Sequence, residues 1–131
     1  MGEALIAKLL ADSGVLALVA TRVYPGVRPQ AEPLPAIVYN MISANPSYSD
    51  DGEDGIEEAR IQLDCWGVTY SSAKTVARAV KAALSAFGGT VSGVRFRYIT
   101  LGLEHDIQEP GANSASYPFR TSLDFIVVFD N

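Results

Sequence analysis

Few side chains in this sequence have the type and spacing that chemistry requires. His105 is the only histidine, so neither a histidine-rich metal site nor a pair of histidines can form. Flanked by Glu104 and Asp106 near a strand end, it reads as a surface residue. Cys65 is the only cysteine, which rules out an internal disulfide. At an inward strand position it fits a small core residue better than a nucleophile. No serine sits in a Gly-x-Ser-x-Gly elbow, and no glycine-rich loop precedes a helix with a lysine. Gly88-Gly89 follows a helix, which is the wrong end for phosphate. Asp50-Asp51-Gly52-Glu53-Asp54-Gly55 opens like a calcium loop. With Asp50 as position one, however, Gly52 stands at position three and Ile61 at position twelve, where a bidentate glutamate is needed. No helix flanks the run, so it is not an EF-hand, although casual cation binding is compatible with it.

The elements that would position these residues are organised around 59–89. Ala59, Ile61, Leu63 and Cys65 alternate with Arg60, Gln62, Asp64 and Trp66, which predicts a strand with one face on a core. After Gly67 the period changes. Ala73, Val76, Ala77, Val80, Ala83, Leu84 and Phe87 then share one helical face, opposite Lys74, Arg78, Lys81 and Ser85. Thr69 or Ser71 can cap the first turn, and Gly88-Gly89 is expected to end the helix. Upstream, Glu3 to Leu10 predicts a short helix and Val15 to Ala20 a further turn or two. The segment 25–35 holds four prolines, Pro25, Pro29, Pro33 and Pro35, and predicts an extended connector. Its residues fit a rigid loop and an arm offered to a partner equally well.

Ala36 to Ala44 predicts the first strand. From Ser47 to Glu58 the chain carries Asp50, Asp51, Glu53, Asp54, Glu57 and Glu58, six of its fifteen acids, with no basic residue among them. A flexible loop projecting into water is expected there, at the tip of an antiparallel hairpin. Val94 to Asp106 predicts a third strand whose apolar phase shifts, with Val94, Phe96 and Tyr98 on one face and Ile99, Leu101 and Leu103 on the other. A bulge near Ile99, or burial of both faces by a second copy, would produce that shift. Ile107 to Tyr117 reads as a polar loop, and Phe119 to Phe129 as the last strand. The expected fold is α+β: a small, mostly antiparallel four-stranded sheet with helices on one face, in the order α-β-β-α-β-β, as a single domain over 1–131.

The 131 residues can bury a core without metals or disulfides, and 48% hydrophobic content excludes a disordered chain. No apolar run reaches the roughly 18 residues of a membrane span, and the first residues lack the pattern of a secretory signal. A soluble cytoplasmic protein with no membrane partner is expected. The net charge of −5 disfavours holding nucleic acid by counterion release, but not letting it pass.

Several short segments, in order, resemble the tail-completion family of long-tailed bacteriophages and prophages. They are Val19-Ala20-Thr21-Arg22-Val23-Tyr24-Pro25, Pro29-Gln30, Leu34-Pro35-Ala36-Ile37-Val38-Tyr39, Arg60 to Trp66, Thr69 to Ala73, and Tyr117-Pro118-Phe119-Arg120 through Asp124-Phe125. The resemblance covers most of the chain, and order and spacing carry it. It implies a ring-forming structural protein, typically a hexamer, without catalytic residues, cofactor or metal. Such a ring ends the tail tube and joins tail to head. Its implied partners are copies of itself, the tail tube protein and a head-completion or connector protein, with DNA passing through unbound. It would be made in the host cytoplasm and reside at the head-proximal end of the tail in the virion.

On that reading the acidic run Asp50, Asp51, Glu53, Asp54, Glu57 and Glu58 faces the lumen or rim, and Ile99, Leu101 and Leu103 meet a neighbouring copy. Arg22, Tyr24, Arg60 and Asp64 are structural, with Arg60 reaching an acid such as Asp124 across strands. The alternative is a small α+β ligand- or peptide-binding module, or an enzyme using Asp64, Tyr70 or His105. A discrete multimeric mass favours the ring.

Overall fold

A computed structural model describes residues 1–29, 33–108 and 119–131. Two helices, α1 (Gly2–Ala11) and α2 (Ser13–Val19), lead into β1 (Val23–Pro25), β2 (Ala36–Ser49) and β3 (Gly52–Gly67). The long helix α3 (Tyr70–Leu84) follows, and then β4 (Gly89–Val91), β5 (Val94–Gln108) and β6 (Phe119–Asp130). The strands form one six-stranded sheet in the order β1-β2-β3-β6-β5-β4. It is mixed: β1 runs parallel to β2, every other pair is antiparallel, and the sheet curls into a half-barrel.

The expected four-stranded, mostly antiparallel sheet is therefore corrected. The four long strands are present, but each outer edge carries a further three-residue strand. Three residues are too few to show a period of two, so neither edge was readable as a strand. Pro25 is tolerated because it ends the edge strand β1, where a missing donor costs little. The junction is held by Ile37 N donating to Arg22 O at 2.9 Å and Gly26 N donating to Tyr39 O at 2.8 Å.

The polar segment 47–58 is also not a loop. β2 and β3 run on through it as a ribbon, with Tyr48 opposite Glu53 and Ser49 opposite Gly52, and only Asp50-Asp51 form the turn. Gly52 and Gly55 take positive φ values of 113° and 82°, which glycine adopts at little cost. Ser47 Oγ donates to Asp54 Oδ2 at 2.9 Å, and Asp54 Oδ1 accepts from Ile56 N at 3.1 Å. β6 reaches only as far as the Ile56–Asp130 pair, so the outer part of the ribbon stands beyond the sheet.

Ala59, Ile61, Leu63 and Cys65 of β3 are fully buried, as are Leu123, Phe125 and Val127 of β6. Against them lie Leu5 and Leu9 of α1, Val15 and Val19 of α2, and Val76, Ala77, Val80 and Leu84 of α3. Helix α3 is capped by Thr69, whose Oγ1 accepts from Ser72 N at 3.1 Å. Its end differs from expectation. The helix stops at Leu84, and Ala86, not a glycine, takes the left-handed conformation at φ 63°. The Ala86 amide donates to Ile99 O at 2.9 Å, and that bond to β5 turns the chain before the glycines are reached.

The turn from β3 into α3 depends on Gly67. A Cβ there would lie 2.5 Å from Ala73 N and 2.8 Å from Ser72 Cβ, so the helix could not start so close to the strand. Gly67→Ala should lower stability by about 1–3 kcal/mol, the usual range for overpacking. Chemical denaturation should show a lower midpoint with an unchanged slope.

Candidate functional site

The helices cover one face of the sheet, and the pairing register assigns the other face residue by residue. Across β2, β3, β6 and β5 it carries the rows Val38–Asp64–Ser122–His105 and Asn40–Gln62–Asp124–Leu103. Beyond them lie Ala36–Trp66–Arg120–Ile107 at one end and Arg60–Ile126–Thr100 towards the other. This helix-free face is polar along its centre. Gln62 Nε2 donates to Asp64 Oδ1 at 2.9 Å, Arg120 Nη1 stands 3.6 Å from Asp64 Oδ2, and Arg60 Nη2 is 3.1 Å from Asp124 Oδ2. The Arg120 guanidinium also lies over the Trp66 ring, 5.0 Å from its centroid. Such a contact is favourable because the ring face is electron-rich.

Yet several buried polar atoms here have no partner among the described residues: Trp66 Nε1, Arg120 Nε, Ser122 Oγ and Asp124 Oδ1. All four belong to three consecutive rows of this face. A cavity of about 350 Å³ opens over the Trp66 end of it, walled by Asp64, Trp66 and Arg120 and by the Gly26–Arg28 stretch that follows β1.

On the helix side, an ion-pair network joins α3 to β5. Lys74 Nζ is 2.8 Å from both Glu104 Oε2 and Asp106 Oδ1, and Lys81 Nζ is 2.7 Å from Glu104 Oε1. Thr121 Oγ1 donates to Asp106 Oδ1 at 3.0 Å. Glu104 and Asp106 point this way because β5 bulges between Leu101 and Leu103. The extra residue, Gly102, reverses the strand's phase.

A family profile described as "Tail completion protein gp17" matches residues 3–130. The chain belongs to this tail-completion family. A structural match from the virion of a native gene transfer agent particle has a TM-score of 0.70 and 22% identity, covering all of this chain and 95% of that one. At that identity it shows a shared fold. A search of curated proteins returns no match.

In this tail-completion chain the residues singled out from sequence are dispersed. Asp50 and Asp51 occupy the exposed ribbon turn, Asp54 is tied to Ser47, and Glu53 and Glu57 accept from Asn131 Nδ2 at 3.5 and 3.2 Å. Glu58 lies exposed at the ribbon base. Arg22 Nε donates to Pro35 O at 2.9 Å, and Tyr24 pairs with Val38 in the parallel edge. The trio on β5 is split by the bulge at Gly102, a first bulge at Arg97 lying before it. Ile99 is fully buried in the core and cannot meet a neighbour, which corrects its expected place at an interface. Leu101 remains 36% exposed at the margin of the helix side, and Leu103 is 50% exposed on the helix-free face.

No arrangement for catalysis emerges among the described residues. Ser122 lies between Asp64 and His105 in one row, but its Oγ has no partner, so no base activates it. Tyr70 is at the start of α3 under the Lys74 ammonium, away from that row. Burial in the core pushes the Cys65 thiol well up, which keeps it protonated and inert. No group of three metal-ligating side chains occurs among the described residues. Sequence reading missed Trp66 and Arg120 as a pair, because only the β3–β6 register brings them together. It also missed the lysine–carboxylate network, because the Gly102 bulge decides which side Glu104 and Asp106 take.

The network has a pH signature. Hydrogen bonds from Lys74 and Lys81 hold the Glu104 carboxyl below its usual value, and Lys74 then Thr121 do the same for Asp106. Folded values below unfolded ones mean stabilisation that is complete above about pH 5 and lost as pH falls through the depressed folded values. Thermal melts from pH 7 downwards should therefore show a fall in midpoint below about pH 5. Glu104→Gln should lower stability at neutral pH by no more than about 1 kcal/mol, given its partial exposure, and flatten the acid limb.

Proposed function

We propose that this protein is a structural component of a tailed particle that ends the tail tube and joins the tail to the head. It acts as a closed homo-oligomeric ring, a hexamer on the family pattern, and carries out no catalysis. Family membership over 3–130 is the observation that carries this reading. The likeness to a chain of a gene transfer agent virion supports placing it in an assembled particle. The remaining partners follow from that position: the tail tube protein on one side and a head-completion or connector protein on the other. Assembly takes place in the host cytoplasm, and the finished ring stays at the head-proximal end of the tail.

The charge distribution is consistent with a conduit for DNA. Six copies at −5 each carry about −30, a field that repels a phosphate backbone and discourages sticking. The acidic ribbon Asp50 to Glu58, whose outer part stands beyond the sheet, supplies that charge at the lumen or rim. The helix-free face supplies contact between copies, with Leu103 and Tyr98 as its exposed apolar residues at 50% and 48%.

Leu103→Asp tests this reading, since the side chain lies on the helix-free face outside the core. Circular dichroism should stay native. Covering a leucine completely is worth roughly 1.5–3 kcal/mol, so the substitution should weaken self-association by about tenfold or more. Particles complemented with the variant should show headless tails or tails of abnormal length by electron microscopy. Normal particles and an unchanged mass would move the interface away from this face.

A further inference from the structure

The two outer long strands are covered along only part of their outer edges. β1 pairs with β2 at Ile37, Val38 and Tyr39, and Gly26 N then donates to Tyr39 O at 2.8 Å. β4 pairs with β5 at Val94, Arg95 and Phe96, and the Ala86 amide reaches as far as Ile99 O. In an antiparallel sheet the N–H and C=O of one residue point to the same side, and the side alternates along the strand. Tyr39 and Ile99 point outwards, so Met41 and Leu101, two residues on in unbroken register, do so too. Neither has an outer backbone partner among the described residues.

Open edges are commonly guarded by charge. These are not: 40–49 and 98–103 contain no charged residue, although 19% of the chain is charged. They carry exposed apolar side chains instead, Met41 and Ile42 on β2 and Tyr98, Leu101 and Leu103 on β5. The bulges just after Met41 and Leu101, and Pro46 on β2, keep any added pairing short.

We propose that the β2 edge of one copy pairs with the β5 edge of the next, Met41 opposite Leu101, each accepting the other's N–H. From β2 through β3 and β6 to β5 the direction reverses three times, so β2 and β5 run oppositely. A copy set alongside in the same orientation therefore brings its β2 antiparallel to β5. Met41 lies in register with Ile61 and Leu101 with Phe125, both on the helix side, so the two side chains meet across the joint. A second copy is the occupant because the chain supplies both matching edges. Copies that repel at −5 each also meet here without a charge on either side. The contact joins two different edges, and head-to-tail contacts of that kind build rings when the rotation closes. It rests on the self-assembly reading above and names the strands that carry it.

Within one copy the two residues are three strand spacings apart, about 14 Å of sheet, too far for a disulfide. Across the joint a hydrogen-bonded pair stands about 5.5 Å apart between Cα atoms, within disulfide range. Full chains with Met41→Cys and with Leu101→Cys, mixed under mild oxidation, should give several times more disulfide dimer than either alone. The native Cys65 is buried and does not compete. Met41→Pro removes the outward N–H and leaves the β2–β3 ladder intact. With native circular dichroism, it should weaken self-association at least about threefold more than Met41→Ala, which keeps that donor. Should Met41→Pro fail to fold, the mixed cross-link decides alone.

Sedimentation of the same samples separates this contact from the ring. A discrete multimer without the extra cross-link, in which Met41→Pro behaves like Met41→Ala, would overturn the contact and leave the ring standing. The mixed cross-link with only dimers or open chains would keep the contact and overturn the closed ring. Cross-links as abundant in a single variant as in the mixture would mean that like edges pair, and would overturn the proposal. So would no association at any concentration.

Discussion

The fold depends on β3 being two-faced at the middle of the sheet. Its odd residues from Ala59 to Cys65 are fully buried beneath the helices, while Arg60, Gln62, Asp64 and Trp66 face away. A one-residue slip against β6 would put Asp64 in the core and expose Leu63, so the register is strongly specified. That register also builds the other face, because it places Arg120 beside Trp66 and Ser122 beside Asp64. The core and the candidate assembly surface are thus the two sides of one pairing. α3 can cover only one of them, and covers the apolar side.

Much of this was legible from residue types. The period-two run at β3 and the 3.6-residue face of α3 both depend on burial of one side. Ala73, Val76, Ala77, Val80, Ala83 and Leu84 are buried as their spacing predicts. What failed was continuity within β5. Ile99, Leu101 and Leu103 alternate as if they shared one face, but the Gly102 bulge sends Leu103 outward and turns Glu104 inward. Bulges leave no periodic trace except a broken pattern, and here the pattern is apolar on both sides of the break. Lys74 and Lys81 of α3 suit the result, since their ammonium groups meet the carboxylates that the bulge brings round. The acidic run misled in a different way. An unbroken acidic run argued for a loop, whereas a ribbon needs only cross-strand pairing, and its exposed faces accept any polar residue.

The candidate site was less legible than the fold for a reason of topology. Asp64 and Arg60 drew notice because they sit on a clear strand. The expected pair of Arg60 with Asp124 is present at 3.1 Å, but Arg120, the partner of Asp64, lies more than fifty residues on, and no local pattern links those two. Trp66 appeared only as the outward end of an alternation. Its significance comes from being covered by Arg120 while its indole nitrogen has no acceptor among the described residues. An orphaned donor is a property of three-dimensional packing, so it has no counterpart in sequence.

The polar character of the uncovered face fits a protein that must be made as single chains before it assembles. A broad apolar face would give the same buried area to any partner, and to aggregates as readily as to the intended neighbour. A face whose buried donors lack acceptors behaves differently. Each bare group costs about 1–3 kcal/mol when water is excluded. A covering surface that brings no acceptor is therefore penalised, while one that brings a carboxylate in the right place is not. Discrimination then comes from the wrong partners being unfavourable, at little expense in solubility. In a chain of net charge −5, copies repel one another at a distance. Opposing that repulsion requires fixed cationic groups, and Arg120, held over Trp66 by its ring and by Asp64, is one on the uncovered face.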